Sequence, residues 1–561
     1  MADARRTWAS RARTPILLFA LAAAVRALVF WLHPDAAYPD SFYYADVARA
    51  LHAGAGFNID FVWSFVDVGG RIPASPALPI PSDAHWMPLA ALVQLPTMWL
   101  LGPTPFASAL PFMAAGSLVA PLTWLIAREA GCSPRVALAA ALALAVPGAA
   151  TVYMSQPDSM ALYQALGAAA LWLAARGLRG KRRSYALAGL AVGLATLARN
   201  DGVLLGAAVG LVFAYDRAAS WRSHGARVPA IPWRYAFACL GLFALVMAPW
   251  YLRQLVVFGS LSPSMSSGRV LLIQTYAQMD SVTSDTSLGG FLSQGPGALL
   301  ASRALGLAAA AQVYFVVAIP VMLAPFAIAG AWGRRRSADF GPLLAYAAIL
   351  SAASGLLFAV HVPYGMFLHS SEALVPATMI LAMEGVVISS GWAARHRPAW
   401  TPDGAARLFL GAALACVVAS AASFGASAIP AWEAHRSDLA SAGAALDAAG
   451  AARSDLVMSS DPAGFEYVAG FGGVATVSDP LDVAHQVAAG YHVRWLVLER
   501  SDVVAPFVPV LEGAAHPGWI GRPVFSVPYA GPKTGDPAID AAPALAVYPV
   551  CAQAGDARCD P

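Results

Sequence analysis

The chain has 561 residues, 58% of them hydrophobic and 12% charged, with a mean hydropathy of +0.60. Soluble proteins carry roughly twice that charged fraction, so a water-soluble enzyme or binding module is excluded. The net charge of +3 gives no ground for a nucleic-acid partner. Most basic residues fall in short clusters between apolar runs, where membrane topology already calls for them.

The first run of membrane length, near 14–32, follows Arg5, Arg6, Arg11 and Arg13. The positive-inside rule keeps these arginines, and the N-terminus, in the cytoplasm. The run is too long, and too poor in a small-residue cleavage site, for a removed signal peptide, and reads as a retained helix. The first extracytoplasmic loop, 34–104, then opens with Asp40 and an amphipathic segment setting Tyr43, Tyr44, Val47 and Leu51 against Asp46 and Arg49. His85 to Leu101 holds Pro88, Gln94 and Pro96 and reads as a juxtamembrane or re-entrant segment. Basic clusters at Arg128/Arg135, Arg176 to Arg183, Arg217 to Arg234, Arg334 to Arg336 and Arg395 to Arg407 mark cytoplasmic loops. Spans are expected near 105–127, 136–154, 158–176, 184–198, 202–215, 235–252, 309–332, 341–360, 372–390 and 406–427. With the first, they make about eleven transmembrane helices. Outer tips then fall at Gln156-Pro-Asp158, Arg199-Asn-Asp201, the long loop after 252, and His361 to Glu372.

From 428 the long apolar runs vanish. Leu456–Ser459, Val474–Val477 and Arg494–Glu499 read as strands and Leu481–Ala489 as a helix. The expected organisation is a transmembrane module, 1–427, and a small extracytoplasmic α/β domain, 428–561, of ordinary domain size. Cys551 and Cys559 are placed for a permitted disulfide. Cys132, Cys239 and Cys416 fall in or beside spans, and the Ala/Gly-rich spans suit close helix packing.

A carboxylate just beyond the first span is well placed to activate a hydroxyl beside a lipid-borne substrate. Around Asp40 stand Asp40-Ser-Phe-Tyr-Tyr-Ala-Asp-Val-Ala-Arg-Ala-Leu with Gly54-Ala-Gly56-Phe57, then His85-Trp-Met-Pro-Leu and Gln156-Pro-Asp158. Further on come Gly189-Leu-Ala-Val-Gly193 through Arg199-Asn-Asp201-Gly202, and Pro249-Trp-Tyr-Leu-Arg253 through Gly259. In their order and sidedness these motifs resemble the GT-C superfamily of polytopic glycosyltransferases, in the branch of protein O-mannosyltransferases and lipid A aminoarabinose transferases. The resemblance covers residues 10–430. Mannosyltransferases carry Asp-Glu where this chain has Asp40-Ser41, and the aminoarabinose enzymes a Lys-Pro-Pro element where His85-Trp-Met-Pro88 stands. The resemblance implies an extracytoplasmic active site, a polyprenyl-phosphate-linked sugar donor and Asp40 as a catalytic carboxylate.

The chemistry agrees with that role. Direct, inverting transfer needs a base for the acceptor hydroxyl, and desolvation at a membrane interface raises a carboxylate's pKa toward the task. Asp40 is therefore expected as general base. Asp158 either orients the acceptor or caps the helix beginning Ser159-Met160-Ala161. The leaving phosphate needs cations, for which Arg253, Arg199, Arg269, His85, His361 and His369 are the candidates, with snorkelling to lipid headgroups the plain alternative. Arg253 leads, because Pro249-Trp250 is expected to break a helix beside it. Tyr43, Tyr44, Tyr364 and Glu372 are candidate acceptor or lid contacts, in a segment from His361 to Glu372 expected to close over the donor. A metal site is conceivable where His361, His369, Glu372, Asp40 and Asp158 converge, but no zinc-type ligand spacing occurs, so no obligatory metal and no other cofactor is expected. The absence of a nucleotide fingerprint favours a lipid-linked donor over a nucleotide sugar. The expected partners are the polyprenyl-phosphate sugar, the bilayer, and an acceptor glycan, lipid or protein. A transporter and a non-catalytic envelope-assembly protein are the rival classes; transporters place their sites at midmembrane.

Overall fold

A computed structural model describes residues 2–223, 228–262, 264, 266–529, 531 and 542–551, with side chains described from Arg13 onward except that of Ser267. The chain divides into two compact units. A helical unit comprises Met1–Asp35, Trp86–Pro263 and Leu300–Ile429; a sheet unit comprises Ala36–His85, Ser264–Leu299 and Pro430–Pro561.

Among the described residues of the chain, seven helices are long and apolar enough to cross a membrane. They are Arg13–Leu32, Pro105–Glu129, Asn200–Arg222, Trp233–Phe258, Gly295–Ala318, Met366–Arg395 and Pro402–Ala448. An eighth arises if Pro134–Ala145 and Gly148–Ser155, bent by 54°, form one broken span. The chain is thus a multi-pass membrane protein, but the expected eleven spans are not all met on these terms. The spans expected at 158–176 and 184–198 are helices, Ser159–Leu178 and Arg182–Ala198, outside that set. The first carries Gln164 and Arg176, and the second opens on two arginines and has only 17 residues. The segment Leu89–Leu101 is a pair of short helices, and Gly341–Leu357 is likewise short.

Two expectations, a helix break at Pro249 and a continuous span at 309–332, are corrected. The helix Trp233–Phe258 runs unbroken through Pro249 and ends at Gly259 (φ +67°), so no break stands beside Arg253. The run expected at 309–332 is interrupted instead. The helix Gly295–Gln312 widens into a π-turn at Val313–Ala318 and stops before Pro320, which has no N–H to continue the ladder. A second helix, Ala324–Arg334, follows.

Glycine sets how closely these helices approach. A Cβ on Gly189 would lie 1.9 Å from the Cys239 carbonyl oxygen, and one on Gly193 2.9 Å from Val246 Cβ. The Gly189-x-x-x-Gly193 face of Arg182–Ala198 therefore packs backbone to backbone on Trp233–Phe258. Gly330 and Gly385 do the same for Ala324–Arg334 and Val375–Arg395, against the carbonyls of Leu381 and Phe326.

The sheet unit is built on six strands in the order Phe61–Val62, Gly473–Ala475, Leu456–Ser459, Val493–Glu499, Leu545–Pro549, Phe525–Val527. The first four are parallel, and the last two run antiparallel to their neighbours at Val493–Glu499 and Leu545–Pro549. Side-chain alternation explains why the central strand is buried on both faces. Trp495 and Val497 join Leu439, Ala442 and Leu446, whereas Leu496 and Leu498 join Ala484, Val487 and Phe507. Leu439, Ala442 and Leu446 belong to the helix Pro402–Ala448, which continues well past the expected end at 427. The first strand comes from the loop after residue 34, pairing Phe61 with Gly473 and Val62 with Val474. Cys551 is disulfide-bonded, and Cys559 lies outside the described residues. Cys132, Cys239 and Cys416 are free thiols.

Gly189→Ala should destabilise the solubilised protein by about 1–3 kcal/mol, the usual range for overpacking, read as a lower thermal midpoint. Gly210→Ala, where a Cβ meets nothing within 4 Å, should leave the midpoint unchanged or slightly raised.

Candidate functional site

Within the helical unit, three separate stretches bring polar side chains to one place. Asp158 occupies the N-cap position of Ser159–Leu178, with extended backbone angles (φ −140°, ψ 159°) and no exposure to solvent. Its carboxylate does not cap the helix. Instead Oδ1 accepts from Ser159 Oγ at 3.0 Å, and Oδ2 lies 3.8 Å from His369 Nε2. Arg199 ends the helix Arg182–Ala198 just before the turn Asn200–Gly202. A Cβ on Gly202 would sit 2.6 Å from the Thr196 backbone, so this tight turn needs glycine. His369 and Ser370 come from the short helix Met366–Ser371, which starts at Gly365 with φ +100°.

The guanidinium of Arg199 joins these pieces. Its Nε lies 3.3 Å from Asp201 Oδ1, and its Nη1 lies 2.7 Å from His369 Nδ1 and 3.4 Å from Ser159 Oγ. Arginine can only donate, so His369 Nδ1 must accept. The neutral imidazole therefore carries its proton on Nε2, the nitrogen that faces Asp158. Asp201 accepts a second hydrogen bond from Ser370 Oγ. The Ser370 carbonyl accepts from Tyr346 Oη at 3.0 Å, and Tyr346 Oη pairs with Tyr163 Oη at 2.8 Å. One turn on, Glu372 is fully buried and accepts from the Gln164 amide. The result is a carboxylate, an imidazole with a fixed tautomer and a guanidinium in sequence, held by a mostly buried polar shell. Asp158 and His369 each offer an atom that could ligate a cation, and these atoms lie within 4.8 Å of one another. Of the sequence candidates, the cluster unites Asp158, Arg199 and His369. It adds Ser159, Asp201 and Ser370, of which only Asp201 had a signal, two residues after Arg199 in the same expected tip.

The other candidates stand as follows. Asp40 is half-buried in the first turn of Pro39–His52, where the helix dipole favours an anion. Ser41 Oγ accepts from the backbone N–H groups of Ala37 (2.8 Å) and Tyr38 (3.0 Å), so the residue after Asp40 fixes the start of that helix. Tyr43 and Tyr44 are buried, and Tyr43 Oη accepts from the Asp83 N–H at 2.6 Å, which makes both tyrosines part of the sheet unit's interior. His85 Nδ1 pairs with Ser266 Oγ at 2.7 Å and its ring stacks on Trp63. Arg269 donates to Thr286 Oγ1 at 3.1–3.2 Å and lies over Gly70, where a Cβ would come 2.4 Å from the guanidinium carbon. Arg253 lies over the rings of Trp250 (4.8 Å) and Phe258 (5.5 Å). His361 is buried and Tyr364 is 60% exposed. The expected lid is thus a run of short helical turns whose end, at Ser370 to Glu372, is packed inside the bundle.

The sheet unit holds buried charges that the sequence reading missed. Asp461 Oδ2 lies 3.2 Å from His435 Nε2, and His435 Nδ1 lies 2.9 Å from Glu499 Oε2. His435 thus bridges the two carboxylates through its two ring nitrogens. Asp46, expected on the polar face of its helix, is buried against Glu466. Burial first, then the Glu466 charge, push its pKa well above the ordinary carboxylate range. The Glu466 carboxyl is raised too, by burial, so the pair shares a proton. Arg49 lies 3.7 Å from Asp46 and over the Tyr467 ring.

The model of the dolichyl-phosphate-mannose-protein mannosyltransferase family matches residues 84–251. No curated protein matches the sequence. Among solved structures, ArnT from Cupriavidus metallidurans bound to undecaprenyl phosphate is 14% identical, with a TM-score of 0.54 over 97% of this chain and 99% of that one. The archaeal oligosaccharyltransferase AglB from Archaeoglobus fulgidus, in complex with an inhibitory peptide and a dolichol-phosphate, is 15% identical. Its TM-score is 0.54, over 88% of this chain and 70% of that one. At these identities the likeness establishes a shared fold.

The Asp46–Glu466 pair sets a pH dependence. A carboxyl whose folded pKa is raised contributes stability that is complete below its unfolded value, near 3.8, and is lost as pH rises through the folded value. Asp46→Asn cannot ionise. It should flatten the fall in thermal midpoint between pH 5 and 8, leaving the variant's midpoint at pH 8 equal to or above that of the unmodified protein.

Proposed function

We propose that this chain, a GT-C-fold membrane protein similar to the protein mannosyltransferase and aminoarabinose transferase branch, transfers a sugar from a polyprenyl-phosphate-linked donor to an acceptor hydroxyl on the extracytoplasmic face. The observation that carries the reading is the Asp158–His369–Arg199 array, built at helix ends in a chain with that fold. Two structural relatives are described with bound polyprenyl phosphates, dolichol-phosphate for AglB and undecaprenyl phosphate for ArnT, which supports the donor class.

In the proposed reaction the acceptor oxygen attacks the anomeric carbon and its proton passes to the Asp40 carboxylate. The anomeric C–O bond to phosphate breaks, and its electron pair leaves on the polyprenyl phosphate. Inversion at the anomeric carbon follows from a single displacement. Asp40 is favoured as base by its motif and its half-buried place at a helix start. Asp158 orients the reacting groups through His369. Arg199, with Arg253, offsets the charge that grows on the leaving phosphate. A midmembrane substrate path, the mark of a transporter, has no comparable support from this cluster.

The test is the purified protein in lipid nanodiscs, given polyprenyl-phosphate sugars and candidate acceptors, with products read by mass spectrometry. Asp40→Asn should lower kcat by about 10²–10⁴, the usual worth of a general base, with membrane insertion and donor-lipid binding intact. Arg199→Lys should also lose turnover, because an ammonium cannot hold Asp201 and His369 in the same planar geometry. Turnover by Asp40→Asn at the unmodified rate would remove Asp40 from the mechanism. A scaffold protein would turn over nothing, with or without either substitution.

A further inference from the structure

The first membrane helix carries a fully buried arginine, Arg26, inside the span Arg13–Leu32. A charge at such a depth is costly unless its donors meet acceptors. The acceptors here are carbonyls left over at a helix end. Arg26 Nη1 donates to the Ala145 carbonyl and, at 3.2 Å, to that of Ala22, one turn back on its own helix. Nη2 donates to the Leu144 carbonyl at 3.1 Å. Leu144 and Ala145 are the last two residues of Pro134–Ala145, whose final carbonyls have no partner within the helix. Gly116, on the neighbouring helix Pro105–Glu129, leaves room for the head group, since a Cβ there would lie 3.4 Å from Arg26 Nε.

The same residue holds the other end of the break. After Val146-Pro147 the chain turns by 54° into Gly148–Ser155, and Ser155 Oγ donates to the Arg26 backbone carbonyl at 3.0 Å. One residue of the first helix thus fixes both where the broken span stops and where it ends, three positions before Asp158. A cation at a helix C-terminus also answers the partial negative charge there.

We infer that Arg26 is a positioning residue: it clamps the segment 145–155 at both ends and so sets the place of Asp158 for glycosyl transfer. The inference about geometry stands on these contacts, and its link to turnover rests on the function proposed above.

The experiment compares Arg26→Met, Arg26→Lys and Ser155→Ala in nanodiscs by hydrogen–deuterium exchange and by transferase kinetics. In Arg26→Met, amide exchange across 146–157 should quicken while that across 375–395 stays unchanged. The kcat should fall by about tenfold to a hundredfold, the cost of a misplaced reacting group, with KM for the donor lipid unchanged. Arg26→Lys, which keeps a donor for the carbonyls, should recover most of both. Ser155→Ala, which removes one arm only and should fold where Arg26→Met does not, should quicken exchange more weakly. Unchanged exchange across 146–157 in either Arg26→Met or Ser155→Ala overturns the clamp. If the unmodified protein transfers no sugar, the functional proposal fails and the exchange data still decide the clamp.

Discussion

A guanidinium has only donors, and inside a helical bundle each of them seeks an acceptor. In the helical unit that requirement falls on Arg199, and the rest of the cluster follows from how it is met. Its bond to Nδ1 dictates which nitrogen of His369 carries the proton, and therefore which face of the ring meets Asp158. Its contact with Asp201 needs that carboxylate held in turn, which Ser370 does from the same short helix that supplies His369. Tyr346 and Tyr163 extend the shell through the Ser370 carbonyl. Buried ion pairs of this kind contribute little net stability, because desolvation offsets the attraction. Their value lies in geometry: three stretches far apart in sequence are held in one arrangement.

The bilayer explains why such groups gather where helices stop. Inside hydrocarbon every peptide group must be paired, so irregular backbone survives only where protein supplies the missing partners. At Val146-Pro147 the Arg26 guanidinium supplies the freed carbonyls, and the breaks at Arg199 to Gly202 and at Gly365 carry the polar side chains of the cluster. Unbroken helices such as Arg182–Ala198 and Trp233–Phe258 serve the complementary purpose. Bare glycine lets their backbones touch, leaving little freedom for the ends they carry.

Local pattern made part of this legible. Arginine clusters and apolar runs disclosed a polytopic chain, and the polar tips Gln156-Pro-Asp158 and Arg199-Asn-Asp201 stood out because charge is scarce among spans. Asp158, Arg199 and His369 could be nominated for that reason. What could not be read was the pairing across long separations. Asp201 needed Ser370, 169 positions away, before it meant anything. Asp461 meets His435, 26 positions away, only because the helix Pro402–Ala448 runs on past its expected end. Tyr43 and Tyr44 looked like surface contacts because the strand Phe61–Val62, too short to announce itself, builds the interior that covers them. Pro249 misled in another way. Neighbouring helices in a membrane tolerate a proline that would end a helix in water.

That two-residue strand carries a practical lesson for anyone wishing to study the sheet in isolation. A fragment cut from residue 430 onward would leave Gly473–Ala475 as a bare rim, with backbone groups that now bond Asp60, Phe61 and Val62 open to any extended peptide nearby. Exposed rims of this sort recruit strands from other copies and precipitate. A soluble version must bring the 57–66 stretch along, stitched back as a tether, or it will borrow its missing edge from a neighbour.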